Sequence, residues 1–305
     1  LVTIIGGAGI VGAALVEQLA HRGWRMRITC RTLARAHRLK PLADIGQIAF
    51  AAADVREPRS LGPALRGSEA VINLAGLAGG SADDMGAVNA TGAGNVAAAA
   101  AALGARALVH VSALGAAPGS RSAFARSKAA GEDAVRAAFP TAAIVRPAPI
   151  FGPEDDFTNR FARILALSPV MPVIAPDARL QPVFVCDVAE AIAAILDRQM
   201  DDGPAGTFEL AGPDAMTMRD FLRFIAAASG HQRLLIEAPD FGARMLAGPA
   251  TGVGADELAL LTEGLVASGD AADVRELGLI PTPLGGVADE WLARYRPGGR
   301  FATAA

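Results

Sequence analysis

Gly6, Gly9 and Gly12 recur at three-residue spacing within Val2-Thr3-Ile4-Ile5-Gly6-Gly7-Ala8-Gly9-Ile10-Val11-Gly12. That spacing suits the holding of a pyrophosphate by backbone alone. The first glycine lets a strand turn sharply, the second lets the main chain approach the ligand, and the third lets the next helix pack close to the strand. The helix then opens at Ile10 and Val11 with its free N–H groups aimed at the anion. A strand–turn–helix with merely permissive glycines is the bland alternative. The β-branched run before the turn and the apolar periodicity after it favour the dinucleotide reading.

The nucleotide's identity is read about twenty residues further on, where a free ribose 2′-hydroxyl calls for a carboxylate. Cys30-Arg31-Thr32 stands there instead, with Arg35 and Arg38 spaced along a predicted helix. A guanidinium grips a 2′-phosphate through two parallel bonds, whereas a carboxylate repels it. The sequence therefore predicts NADPH over NADH, with Arg31 and Thr32 at the phosphate. Arg35 and Arg38 divide evenly between that role and a solvated face. Asp54-Val55 follows the third predicted strand, where a carboxylate can accept from an adenine amino group. Asn73-Leu74-Ala75-Gly76 closes the fourth, where small residues let the backbone lie along the cofactor. Both runs also read as ordinary loop chemistry.

These residues need a particular scaffold. Predicted strands are Val2–Ile5, Arg25–Cys30, Gln47–Ala51, Ala70–Leu74, Ala107–Val111 and Ala142–Val145, with helical patterns between them at Ile10–His21, Met85–Leu103 and Ser122–Phe139. Alternation of this kind gives right-handed crossovers and a parallel sheet covered on both faces. The expected fold is α/β, a doubly wound parallel sheet of Rossmann type, over residues 1–150. Gln181–Val185 reads as a strand, Val188–Asp197 as a helix and Thr207–Ala211 as a strand, so 181–212 is expected to return to that domain. Residues 151–180 and 213–305 are expected to form a smaller mixed lobe. Phe241–Ala247 has a faint amphipathic character, with core packing the preferred reading.

Composition narrows the function. The chain has 305 residues, 52% apolar but only 5% aromatic, with a formal charge of −3. No strongly basic region points to nucleic acid. Its two cysteines, Cys30 and Cys186, are too few for a disulfide framework, lack metal-site spacing, and read as buried thiols of a reducing compartment. No apolar run is long enough to span a bilayer. The sequence opens on Leu1 with a strand at once, which leaves open a targeting segment ahead of it.

The glycine loop, Asn73-Leu74-Ala75-Gly76, Val109-His110-Val111-Ser112, Phe124-Ala125-Arg126-Ser127-Lys128, and Arg146-Pro147 leading to Ile150-Phe151-Gly152 resemble the extended short-chain dehydrogenase/reductase family over nearly the whole chain. The resemblance implies further cofactor contacts from Asn89, Val111, Ser112, Lys128, Pro147 and Ile150. It also implies a tyrosine acid/base four residues before the lysine, and a serine or threonine after strand five. Here those places hold Phe124 and Leu114. Phenylalanine has no exchangeable proton, and losing a positioned acid costs about 10²–10⁴ in rate. No catalytic residue is therefore assigned. His110 is expected to be a satisfied core residue.

Ser127-Lys128-Ala129-Ala130-Gly131-Glu132, Phe151-Gly152-Pro153-Glu154-Asp155 with Phe157-Thr158-Asn159-Arg160-Phe161, and Gln181-Pro182-Val183-Phe184-Val185 with Asp187 are similar to one atypical branch. That branch includes the Rossmann-type accessory subunit of respiratory complex I and its bacterial relatives. It implies a non-catalytic NADPH-binding role among other complex I subunits, with peripheral membrane association through those partners. The site would be the cytoplasmic face of a bacterial inner membrane, or the matrix face in a mitochondrion. Two alternatives stay open: an active reductase or sugar epimerase/dehydratase with a substitute acid, and a module whose partner binding senses NADPH.

Overall fold

Val2–Ile5, four residues without an exposed member, form the central strand β1 of a computed structural model that describes residues 1–203, 205–238, 248 and 251–299. The chain continues through α1 (Ile10–His21), β2 (Met26–Cys30), α2 (Leu33–Ala36), a 3₁₀ stretch (His37–Leu42), β3 (Ile48–Ala52), α3 (Pro58–Leu65) and β4 (Ala70–Asn73). Then come α4 (Ala82–Met85), a π-helical turn (Gly86–Thr91), α5 (Gly92–Ala102), β5 (Ala107–Val111), α6 (Ala123–Ala138) and β6 (Ala143–Pro147). The second half holds β7 (Ile150–Phe151), α7 (Phe157–Leu167), β8 (Val170–Val173), β9 (Arg179–Leu180), β10 (Val183–Phe184), α8 (Val185–Met200) and β11 (Thr207–Leu210). It ends with β12 (Met216–Thr217), α9 (Met218–Ala228), β13 (Leu234–Glu237), α10 (Ala255–Glu263), α11 (Leu284–Val287), α12 (Asp289–Leu292) and a 3₁₀ turn (Ala293–Tyr295).

Two units divide the chain. Unit 1 comprises Leu1–Pro147, Val185–Leu210 and Ser268–Ile280. Its seven strands are all parallel, in the order β11-β6-β5-β4-β1-β2-β3. The order reverses at β1, which pairs with β2 on one side and β4 on the other, so ligands are expected beyond the C-terminal ends of these strands. Leu65, Val71, Val96, Leu108, Val135 and Ile144 join in one buried cluster beneath α3, α5 and α6. Leu15 and Leu19 of α1 and Ile192 of α8 are fully buried where those helices meet. Each such side chain contributes about 1.5–3 kcal/mol.

Unit 2 comprises Ala148–Phe184, Ala211–Ala267 and Pro281–Ala305. Among the described residues it holds three two-stranded pairings: β10 with β7, β13 with β8, and β12 with β9. Phe157, Phe161 and Phe221 form one aromatic cluster, and Phe151, Phe184 and Trp291 another.

Several expectations are corrected. The helix predicted over Met85–Leu103 begins at Ala82 and is interrupted by the π turn. That turn touches α6 so closely that a Cβ on Gly131 would lie 2.1 Å from the Asn89 carbonyl oxygen. The strand predicted over Gln181–Val185 is broken. Pro182 has no N–H to continue a ladder, Gln181 donates to Gly212 O at 2.7 Å, and α8 already starts at Val185. Residues 268–280 belong to unit 1 rather than the smaller lobe, because Glu209 N donates to Ala272 O at 2.9 Å and Ser268 N to Glu209 Oε2 at 2.7 Å. The thiols are not buried either. Cys30 is half-buried at a strand end, and Cys186 is exposed in the first turn of α8. Phe241–Ala247 lies outside the described residues.

Candidate functional site

The strand ends of unit 1 surround a groove of about 590 Å³. Its floor is the turn after β1. Gly6 has φ +73°, and a Cβ there would lie 2.8 Å from Ala75 N, so the β1 turn and the loop after β4 abut as bare backbone. Gly9 faces open space, lines the groove and precedes α1 without a side-chain cap, so the first-turn N–H groups stay available. At Gly12 a Cβ would lie 2.1 Å from Gly7 O, so the helix can approach the turn only without a side chain.

Arg31, Thr32 and Arg35, from the end of β2 onward, form one wall with Cys30. Arg38 lies outside it, and its Nη2 donates to Ala8 O at 3.1 Å, bracing the glycine loop. Asp54 and Val55 line the groove at the end of β3. Arg56 takes up the Asp54 carboxylate, Nε to Oδ1 at 3.0 Å and Nη2 to Oδ2 at 2.6 Å. The Arg56 guanidinium holds that carboxyl below its ordinary range, against a smaller opposing effect of burial. Leu74, Ala75, Gly76 and Leu77 make the opposite wall, with Asp84 and Val88 beyond them.

Other expected cofactor residues stand behind this groove. Asn89 is buried and spends its amide on protein. It donates to Leu77 O (2.8 Å) and Ser127 Oγ (2.9 Å) and accepts from Leu77 N (2.8 Å), so it shapes the loop and does not line the groove. Ile10, Val11, Gly12, Val111, Ser112, Lys128 and Pro147 are likewise absent from the wall, and Ile150 lies on β7 in unit 2. Ser112 N donates to Val145 O at 2.7 Å and Leu114 N to Pro147 O at 2.9 Å, extending the β5–β6 ladder with Leu114 buried.

Ser122 caps α6 by accepting from Ala125 N at 3.3 Å, which fixes where Phe124 and Lys128 start their shared face. Lys128 Nζ donates to Val111 O at 3.0 Å and sits 5.9 Å from the Phe124 ring centroid. A Cβ on Gly76 would be 3.1 Å from that nitrogen, so the lysine head reaches the loop that forms the wall. Burial lowers the Lys128 ammonium to about 8, against the opposing pull of Glu132. Burial alone would raise the Glu132 carboxyl, but the Arg146 fork (2.8 and 2.7 Å) and Arg136 override it, and the net displacement is downward.

The sequence names Asn73 and His110 but does not show that they are joined. Asn73 accepts from Ala75 N at 3.1 Å and donates to His110 Nδ1 at 3.1 Å, tying the loop to the sheet core. His110 is fully buried, and its Nε2 has no partner among the described residues, so it is only half satisfied. Burial, reinforced by the Lys128 and Arg136 charges, lowers its pKa to about 3, and it stays neutral. Facing strand residues gave the only signal: Asn73 and His110 are register partners, which only the topology reveals.

Comparison with known proteins agrees with this architecture. The family of the RmlD substrate binding domain matches residues 1–244. The chain is 37% identical over 245 residues to ceramide reductase of Caulobacter vibrioides, covering 79% of this chain and 74% of that protein. It is 31% identical to NADH dehydrogenase (ubiquinone) 1 alpha subcomplex subunit 9, mitochondrial, of Arabidopsis thaliana, covering 97% of this chain and 78% of that one. The NADPH-dependent quinone oxidoreductase QOR2 of Escherichia coli, solved with NADPH, shares the fold at a TM-score of 0.76 and 19% identity, covering 96% of this chain and 99% of that one. Among the described residues no helix is long and apolar enough to cross a membrane. With its parallel seven-stranded sheet, its glycine turn and Lys128 on α6, the chain belongs to the RmlD substrate binding domain family, of the extended short-chain dehydrogenase/reductase type.

Proposed function

We propose that unit 1 holds NADPH and that the chain is a non-catalytic accessory subunit of a respiratory NADH:quinone oxidoreductase of complex I type. The residues fit such a ligand. Gly9 leaves room for a pyrophosphate, the N-terminus of α1 has no side-chain cap, and Arg31, Thr32 and Arg35 meet on the wall where a ribose 2′-phosphate would lie. One observation carries the non-catalytic half of this reading: the ring four residues before buried Lys128 is Phe124, which has no proton to give. The relationship to the complex I subunits supports the accessory half. Such a chain is held by partner subunits on the cytoplasmic face of a bacterial inner membrane, or on the matrix face in a mitochondrion.

Purification of the native chain from its own membranes tests this. Other complex I subunits should accompany it, with one tightly held NADPH per chain. Recovery of the chain alone with no nucleotide overturns the proposal. The cofactor half has its own test by titration with both dinucleotides. Arg31→Glu should cut the preference for NADPH over NADH by about tenfold to a hundredfold, the size of a lost charge-assisted bond. Equal binding of both by the unaltered chain shows that Arg31 was assigned wrongly.

A second reading, as a reductase, is favoured by the 37% identity to a ceramide reductase. Bound NADPH would supply the hydride. Lys128, lowered to about 8, is the ionisable group next to Phe124 and would have to manage the proton. Phe124→Tyr separates the readings in assays with NADPH and carbonyl compounds of the ceramide class. Under the accessory reading the unaltered chain is inert. Under the reductase reading it already turns over, and the added phenol raises the rate by up to about 10²–10⁴.

A further inference from the structure

Unit 2 contains a second concavity, about 540 Å³, between α7 and the 3₁₀ turn Ala293–Tyr295. Arg163 and Arg294 both line it. Elsewhere in unit 2, Arg160, Arg219, Arg223 and Arg296 each meet a carboxylate, while among the described residues Arg179 and Arg233 do not, and neither of those two lines the groove. Arg163 and Arg294 meet no carboxylate either, among the described residues. Arg163 is exposed on the outer face of α7 with no partner there at all.

Arg294 is held from behind. Its Nη2 donates to Asn159 Oδ1 and to Pro153 O, both at 2.6 Å, and its Cζ lies 5.2 Å from the Tyr295 ring centroid. Tyr295 donates to the same Asn159 oxygen at 3.1 Å. Asn159 is 2% exposed, and its amide nitrogen is fixed by Asp155, with Nδ2 at 2.8 Å from the carbonyl oxygen. The Asp155 carboxylate is saturated in turn by Gly152 N, Thr158 N and the Thr158 hydroxyl. So a buried, fully bonded chain of side chains orients one guanidinium, whose Nε and Nη1 hydrogens have no acceptor among the described residues. Such pre-ordering lowers the entropy lost when a ligand binds.

We propose that this groove binds a phosphate monoester. Two guanidinium groups without carboxylate partners match a dianion better than the single charge of a carboxylate. A tetrahedral phosphate also accepts donors arriving from separate walls. Glu154 and Asp155 border the groove as well, the Asp155 carboxylate being turned to Gly152 and Thr158, so the anion must sit towards the two arginines. The phosphate can come from a soluble ester or from the headgroup of a phosphatidic acid. This site goes beyond the nucleotide groove of unit 1.

Tyr295 is the sole tyrosine of the chain, so it is a private reporter. The full chain labelled with fluorotyrosine gives one fluorine resonance, from within this groove. Inorganic phosphate and glycerol 3-phosphate form one titration arm. Phosphatidylcholine vesicles with and without phosphatidic acid form the other. The resonance should move saturably, with a dissociation constant on the order of 1 mM for inorganic phosphate. Arg163→Gln, which removes an exposed side chain with no internal bond, should weaken the response by about tenfold or more. A response to soluble phosphate that Arg163→Gln weakens supports a soluble ester. A response only to phosphatidic acid vesicles, again weakened by Arg163→Gln, supports the lipid headgroup. No shift in either arm, or a shift indifferent to Arg163→Gln, overturns the proposal. Neither probe is a nucleotide and the reporter lies in unit 2, so failure here leaves the NADPH reading standing.

Discussion

Acidification should strip about 5 kcal/mol of folding stability from this protein through His110 alone, using about 1.4 kcal/mol per pKa unit. The unfolded chain protonates that imidazole near its ordinary value of 6.5, whereas in the folded core burial holds it down to about 3. Between those values the unfolded state binds more protons than the folded one. Stability is therefore complete above 6.5 and drains away as the pH falls towards 3. The surroundings leave little relief. Nδ1 already faces the Asn73 amide, and Lys128 and Arg136 add positive charge nearby. Many carboxylates also titrate in this window, so the measurement is a difference. Urea unfolding of the unaltered chain and of His110→Gln should converge on acidification, the gap narrowing by about 3 kcal/mol from pH 7 to pH 4. A gap that stays constant shows that position 110 does not titrate differently in the two states.

The opposite limb belongs to Lys128. Its ammonium is lowered from 10.5 to about 8 by burial, with Glu132 compensating only in part. Below about pH 8 both states carry the proton, and the folded state bears the whole cost of a charge held out of water. Between about 8 and 10.5 the folded amine is neutral while the unfolded one is still charged, so the unfolded state binds more protons and stability rises with pH. The rise attributable to this residue is about 3 kcal/mol. Lys128→Met should remove it, leaving a variant more stable than the parent at neutral pH, with an advantage that shrinks on going alkaline. Parallel stability curves for the two chains refute the assignment. In the parent, Lys128 Nζ keeps its hydrogen bond to Val111 O.

Local pattern carried much of the fold. Four-residue β1 and twelve-residue α1 stand at the bounds that the apolar run and its 3.6-residue period predict, because nothing tertiary competes with those signals. The predicted α6 differs only by its caps, Ser122 and Phe139, which flank the helix. What stayed hidden depends on distant backbone. The π turn at Gly86–Thr91 exists against α6, and no periodicity in Met85–Leu103 announces it. Gly6 and Gly9, singled out by backbone chemistry, and Arg31, singled out by an absent acid, do line the groove. It was illegible where a residue acts through another: Asn89 reads as a cofactor contact, yet its amide is consumed by Leu77 and Ser127. His110 looked like inert filling because an apolar strand surrounds it in sequence, while its meaning comes from Asn73 on the neighbouring strand.

Unit 1 is stitched from three stretches, the last of them Ser268–Ile280. A ribosome therefore delivers the sheet's six leading strands, then the seventh, and only after a long stretch of unit 2 the piece whose Ala272 and Ser268 cover Phe208 and Glu209. A chain that terminates early emerges with its outermost strand uncovered and a carboxylate stripped of its donors. Such a product offers a bare β-edge to proteases and chaperones, so unit 1 is sealed only once residues 268–280 have emerged.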